Sequence, residues 1–243
     1  MDVEKERLSG NFLMPNWVAM EHHARFRFVS AYTKGKVVVD CACGNGEGTN
    51  VFSEGSASTH GFDVSQEAID EANQKCKNPV TRFTLASGTQ LPLDSNFADV
   101  YVSLETIEHI EEDEAFLKEV SRVLKTGGMF ICSTPNRNVT NPGKKITDKP
   151  ANIFHVREYS EQEFTALLKR YFSQVELYGQ NRNQRWKVSV LAGLGRFLPF
   201  HLAVRLHQLY KLLAHFLRPV SYYNLEKCDK DIIHEYVTAV CIK

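Results

Sequence analysis

Two carboxylates and an imidazole set the chemical question. In the segment LETIEHI (104–110), Glu105, Glu108 and His109 stand at i, i+3 and i+4. On a helix beginning near residue 105, that spacing puts all three side chains on one face. Two neighbouring carboxylates repel unless a proton or a cation lies between them. Their oxygens and an imidazole nitrogen suit a borderline or hard divalent ion that keeps open positions. The later segment NIFHVREYS (152–160) offers His155 as a further ligand. Such an ion, chelating two adjacent oxygens of a diol, would lower a hydroxyl pKa and aim it. Without a metal, His109 or His155 is the candidate general base. The plainer alternative is that Glu108 or His109 hydrogen-bonds a ligand or caps a helix.

A second constellation lies upstream. VVVDCACGNGEG (37–48) runs off an apolar stretch into Gly44, Asn45, Gly46 and Gly48. Glycines there allow positive φ and close approach of a ligand to backbone. Asp40 is the last polar residue of the run, and Asp63, followed by Val64, closes the next one. An acid in that place can accept hydrogen bonds from ribose hydroxyls. No G-K-[ST] follows, which excludes a phosphate-binding P-loop. The spacing is not G-x-G-x-x-G, and Glu47 sits inside the loop. These acids suit a cofactor with a cationic centre and an amino-acid end better than a pyrophosphate.

The elements that must hold these residues alternate. KVVVDCA (36–42), STHGFDV (58–64), VTRFTLA (80–86), ADVYVSL (98–104) and GGMFICSTP (127–135) are short apolar runs, as expected of strands buried on both faces. Amphipathic stretches separate them, with Ser65 as an N-cap and Lys125-Thr126-Gly127-Gly128 as a helix stop. Alternation of this kind predicts a parallel sheet with helices on both faces. SEQEFTALLKRYF (160–172) is a capped helix, SQVELYG (173–179) a strand, and HEYVTAVCIK (234–243) the last strand. With 243 residues, 43% hydrophobic, 24% charged and formal net charge +0, the chain suffices for one full core. Zero net charge gives no long-range pull toward nucleic acid. The six cysteines show no zinc-ribbon spacing, and reduced thiols in a cytoplasmic compartment are expected. The charged N-terminal segment does not read as a signal peptide, and no uncharged apolar run is long enough for a bilayer.

Together, D-x-x-C-G-x-G-x-G after a strand, an acid ending the second strand, LPL, ETIEH and EVSRVLKTGGMFICSTPN resemble class I S-adenosylmethionine-dependent methyltransferases over about residues 20–180. The resemblance implies a Rossmann-like, seven-stranded α/β sheet with its last strand antiparallel. It implies S-adenosylmethionine as cofactor, with Asp40 and backbone 42–46 at the methionine end, Asp63 at the ribose and Val64 among the other cofactor-binding residues. Ser87 and Gly88 stand where many relatives place an adenine-binding Asp, and Leu104 lines the cofactor. Ala42 replaces the commoner glycine, which is expected to require a negative φ there. E-x-x-E-H resembles the motif of small-RNA 2′-O-methyltransferases and ubiquinone-pathway O-methyltransferases. It carries over Glu105, Glu108, His109 and His155 as ligands of Mg²⁺ or another divalent ion. ACGNGEG, ETIEH, STPN and FHVREYS also look like methyltransferases of bacterial glycan biosynthesis.

The expected organisation is a helical lid segment (1–35), a core (36–181), a helical insertion (182–230) and a final strand (231–243). The stretch 182–219 mixes apolar residues with basic ones and has no Asp or Glu. It reads as a substrate lid or homodimer face, or else as a surface element meeting anionic lipid at the inner membrane. The expected activity is O-methylation of a hydroxyl on a sugar or glycan precursor. A quinone-type acceptor is the alternative, an RNA 2′-hydroxyl a weaker one, and a noncatalytic cofactor-binding protein the weakest. Zero net charge and the lack of an RNA module argue against nucleic acid.

Overall fold

The structure is a computed structural model of the chain, and it describes residues 16–184, 223–229 and 232–243. Five strands, β1 (Val37–Cys41), β2 (Ser58–Asp63), β3 (Thr81–Leu85), β4 (Ala98–Leu104) and β5 (Leu124–Pro135), pair in parallel in the order β3-β2-β1-β4-β5. β8 (Ile232–Ile242) adds antiparallel to β5, and β6 (Gln174–Gln184) adds antiparallel to β8. A two-residue edge strand, β7 (Glu226–Lys227), pairs with β6 at Tyr178 and Gly179. The mixed sheet therefore has eight strands where seven were expected. The eighth arises because residues 226–227 fold back on β6 before the chain enters β8.

Alternation along the strands divides two cores. Val38, Val100, Val102 and Ile131 face α1 (Asn16–Ser30) and α2 (Glu47–Phe52) through Phe26, Val29 and Phe52. Val39, Cys41, Tyr101, Phe130 and Cys132 face α4 (Asp113–Val123) and α6 (Glu161–Leu168) through Phe116, Val120, Phe164 and Leu168. Continuous apolar runs thus mark central strands such as β1 and β4, covered on both faces, while the edge strand β3, expected to be buried likewise, is largely exposed. Helix starts obey their caps. Ser65 accepts the Ala68 N–H before α3 (Gln66–Lys75), Asn136 accepts the Asn138 N–H before the short α5 (Arg137–Thr140), and Ser160 and Glu163 form a reciprocal capping box at α6.

β6 continues through Gln184, so positions 182–184 belong to the sheet and not to an insertion. Residues 185–222, which carry nearly all of the basic and apolar stretch, lie outside the described residues. The first part of the expected lid segment, residues 1–15, also lies outside them. α1 follows and packs on α2, where His23 meets Glu47 at 3.4 Å.

Candidate active site

Asp40 registers with Val102, so the loop after β1 and the turn after β4 open on the same carboxyl edge of the sheet. Ligands bind at such an edge in open α/β folds. Asp40 is buried and accepts a hydrogen bond from Thr49 Oγ1 at 2.5 Å. Burial raises its carboxyl to about 7, against the lowering effect of the Thr49 hydrogen bond.

Ala42 stands at φ 61°. The expectation of a negative φ fails: a Cβ in the left-handed region costs about 1–2 kcal/mol but is not forbidden. Gly44 (φ 54°) and Gly46 (φ 79°) continue the loop for different reasons. A Cβ on Gly46 would lie 2.8 Å from Phe83 Cζ and 2.9 Å from Ala72 Cβ, whereas one on Gly44 would meet nothing within 4 Å. Gly46 is small so that the start of α2 can seat against Phe83 of β3 and Ala72 of α3, and Gly44 faces open space. Asn45 Oδ1 accepts the Glu47 N–H at 3.4 Å. The Asp63 carboxylate accepts the Gly44 and Ser65 N–H groups, both at 2.9 Å, and so ties the loop to the end of β2. A carboxylate in this place can accept hydrogen bonds from ribose hydroxyls. Beside it, Val64 is 66% exposed and Leu85 is 49% exposed, an apolar surface at the ends of β2 and β3.

Ser87 is exposed, its Oγ 2.8 Å from Thr89 Oγ1. Gly88 lies so close to Cys41 that a Cβ would come 2.7 Å from its Sγ. Leu104 ends β4, half-buried.

The chain does not become helical at Glu105. Glu105 takes φ 51°, and its N–H meets both the carbonyl and the Oγ of Ser133 at 3.1 Å. Ser133 Oγ in turn donates to the Glu105 carboxylate at 2.6 Å. A single 3-10 turn, Ile107–His109, follows, and α4 starts only at Asp113. The expected helical face is therefore absent. Glu108, His109 and His155 nonetheless converge, with one ligand atom of each within 4.8 Å of the others, while Glu105 lies outside that group.

Each converging residue is held from behind. Glu108 is buried and accepts from Thr134 Oγ1 at 3.0 Å. Burial, reinforced by the Glu105 charge, pushes its carboxyl well above the usual range. His109 Nδ1 lies 3.1 Å from the Phe154 carbonyl, which can only accept. His155 Nδ1 lies 2.7 Å from Glu158, and its Nε2 lies 2.9 Å from the Asn152 amide nitrogen. These partners assign the proton to Nδ1 on both rings and put the lone pair on Nε2. The rings meet edge to face at 4.8 Å between centroids. A carboxylate or carbonyl behind an imidazole is how proteins orient histidine ligands. One carboxylate and two such imidazoles fit a divalent ion, although Asn152 would have to yield its place at His155. Arg157 does not face the site: it pairs with Asp113 at 2.5 Å and the Glu111 carbonyl at 2.6 Å.

Sequence reasoning missed Ser133, Thr134, Asn152 and Glu158. Of these only Glu158 carried a signal, three residues after His155 in HVRE.

Residues 39–132 match the family model described as a methyltransferase domain. A probable S-adenosylmethionine-dependent methyltransferase of Mycolicibacterium smegmatis is 30% identical over 171 residues, covering 70% of this chain and 65% of the relative. A ubiquinone/menaquinone biosynthesis C-methyltransferase, UbiE, of Caulobacter vibrioides is 31% identical over 125 residues, 47% of this chain and 50% of the relative. The chain thus spans less than two thirds of the length of these curated relatives. The YcgJ protein of Bacillus subtilis shares the fold, with a TM-score of 0.60 at 18% identity over 91% of this chain and 98% of that one. Residues 39–132 therefore match a methyltransferase domain and carry all or part of each of the five parallel strands, and the relatives they resemble include ones named as S-adenosylmethionine-dependent methyltransferases.

Proposed function

We propose that this chain transfers the methyl group of S-adenosylmethionine to a hydroxyl of a small acceptor, first of all a sugar or glycan precursor. The observation that carries this is the seat of Glu108, His109 and His155 on the edge that also carries the glycine loop. Asp63 and the loop 42–46 would hold the cofactor's ribose and amino-acid end, with the apolar Val64 beside the adenine. S-adenosylmethionine supplies an electrophilic methyl on a sulfonium centre. The acceptor oxygen forms its bond to that methyl as the carbon–sulfur bond breaks, and the hydroxyl proton must leave. His109 Nε2, its ring fixed by the Phe154 carbonyl, is the group for that proton. In the alternative arrangement Glu108, His109 and His155 would together hold Mg²⁺; the His109 lone pair is then engaged, and the ion would lower the hydroxyl pKa so that the proton leaves to solvent. Positioning supplies most of the rate in an in-line transfer.

A second reading, a quinone-type ring acceptor, rests on a different observation. Ile153 (63% exposed) and Val156 (41% exposed) flank His155 with apolar surface, and the Caulobacter relative's name points the same way. Among the described residues no helix is long and apolar enough to cross a membrane. A cytoplasmic setting accords with six free cysteines. Contact with the inner membrane or a second copy through 182–219 remains part of the proposal. The test is a methyl-transfer screen with labelled cofactor over nucleotide sugars, glycans, quinone precursors and small RNA, with EDTA and Mg²⁺ arms. Transfer to a sugar hydroxyl supports the first reading. Transfer to a ring acceptor alone selects the second, and cofactor binding without turnover on any acceptor sinks both.

A further inference from the structure

A second cluster lies on β8, apart from the methyl-transfer residues. Glu161 opens α6, Cys228 lies between β7 and β8, and His234 is on β8. One ligand atom of each falls within 4.8 Å of the others. His234 is fully buried, and β6 makes room for it: a Cβ on Gly179 would lie 1.9 Å from the ring's Cγ. The imidazole is oriented from behind. Its Nε2 lies 2.9 Å from Glu226 Oε1, and Arg182 Nε meets that same oxygen at 2.7 Å. A carboxylate paired with arginine accepts, so Nε2 carries the hydrogen and Nδ1 the lone pair. Nδ1 faces Cys228 Sγ at 3.9 Å. That is long for a thiol hydrogen bond. It is near the roughly 3.6 Å that separates sulfur and nitrogen across a tetrahedral zinc with bonds of about 2.3 and 2.0 Å. Asn136 Nδ2 donates to Glu161 Oε1 at 3.0 Å and to the His234 carbonyl at 2.9 Å, which holds the carboxylate toward β8.

We propose that Glu161, Cys228 and His234 bind one Zn²⁺, with Glu226 as the carboxylate that orients the histidine. A thiolate, an imidazole and a carboxylate are the donor set of a borderline ion, and the carboxylate–histidine pair is the usual support for such a ligand. The ion ties the first turn of α6 to the connection between β7 and β8, and its fourth position belongs to solvent or a substrate atom. It is separate from the Glu108 cluster and independent of the proposed methyl transfer.

The test uses the full chain, stripped with a chelator and titrated with Co²⁺. We expect about one equivalent to produce thiolate-to-cobalt charge-transfer absorption with tetrahedral visible bands, displaced by Zn²⁺. The signal should vanish in Cys228→Ser and persist in Cys76→Ser and in Glu108→Gln. No thiolate–cobalt absorption in the wild type, or a band that survives in Cys228→Ser, overturns the site. Should Cys228→Ser fail to fold, alkylation of the wild type decides. Zn²⁺ must protect Cys228 from iodoacetamide as mapped by peptide mass spectrometry, and equal labelling with and without Zn²⁺ overturns it.

Discussion

His155 and Glu158 are locked together, with His155 Nδ1 2.7 Å from a carboxylate that also accepts hydrogen bonds from Thr140 and, at 2.7 Å, from Asn141. Burial alone would raise the Glu158 carboxyl, but the hydrogen bonds from His155, Thr140 and Asn141 outweigh it and hold it below the usual range. Glu158 therefore serves to fix one tautomer and one orientation of His155. Removing such a partner typically costs 10–100-fold in ligand affinity or activity. We expect Glu158→Gln to lower kcat about tenfold or more. A depressed folded pKa contributes stability that is present above the unfolded carboxylate value and lost as pH falls through the folded one. The acid limb of the wild-type Tm–pH curve should thus be steeper than that of Glu158→Gln. Unchanged turnover with superimposable curves would remove the role.

Asp40 behaves in the opposite sense. Its carboxyl sits at about 7 instead of near 3.8, because burial disfavours the charge. The folded state then holds a proton that the unfolded chain has released, so this group's contribution falls as pH rises from about 4 to about 7. In Asp40→Asn that decline should shrink, with a gain on the order of a few kcal/mol at most at neutral pH. A cofactor bearing a cationic ammonium would draw the proton off. Calorimetry of S-adenosylhomocysteine binding near pH 6.5 should show proton release in the wild type, through buffer-dependent heats, and much less in Asp40→Asn. Buffer-independent heats in the wild type would contradict this.

The central strands were legible because burial on both faces writes an apolar run directly into the sequence, whereas edge strand β3, TRFTL, is largely exposed. ADVYVSL is β4 from end to end. The helix at Glu105 was a misreading of a kind that spacing alone invites. E-x-x-E-H satisfies i, i+3 and i+4, yet the Glu105 N–H is captured by Ser133, twenty-eight residues away on β5, and the chain turns instead. That contact is a tertiary one, and no local signal announces it. Glu108 and His109 reach the same neighbourhood through a 3-10 turn. The His155 partnership was half visible in HVRE. The Glu161–Cys228–His234 cluster was invisible, because Glu161 on α6 is far in sequence from Cys228 and His234 and reaches them only in the folded chain.

The glycine loop separates packing from ligand access. Gly46→Ala meets Phe83 and Ala72 at φ 79° and should lower stability by about 2–4 kcal/mol. Gly44→Ala faces open space at φ 54° and should lose only about 1–2 kcal/mol. Its methyl would nevertheless enter the region where a ligand approaches the backbone. Ala42→Gly should gain roughly 0.5–1 kcal/mol, since relief of the left-handed Cβ exceeds the entropy glycine adds to the unfolded chain. Thermal melts with S-adenosylhomocysteine titrations distinguish these effects. Gly44→Ala should lose at least tenfold in affinity with a small change in Tm, and Gly46→Ala should show the larger drop in Tm. Normal affinity in Gly44→Ala would move the cofactor away from this loop.

Glu108 gives the sharpest test of the metal. Its carboxyl is raised by burial and by the neighbouring Glu105 charge, so keeping it ionised at neutral pH costs folding free energy. Thr134 supplies one hydrogen bond to it, at 3.0 Å, which does not reverse that direction. An amide of the same shape removes the charge and the repulsion. Glu108→Gln should therefore melt a few degrees above the wild type in EDTA at neutral pH. A divalent ion in contact with Glu108, His109 and His155 would change the order. Added Mg²⁺ or Mn²⁺ should raise the wild-type Tm toward or past the variant's and leave the variant unmoved, because ligand linkage acts only where the site exists. Methyl transfer should follow the same pattern: restored by the ion after EDTA in the wild type, and weak in Glu108→Gln whatever is added. If both proteins melt and turn over identically with and without the ion, Glu108 is a buried partner of Thr134, and the proton passes to His109 without a metal.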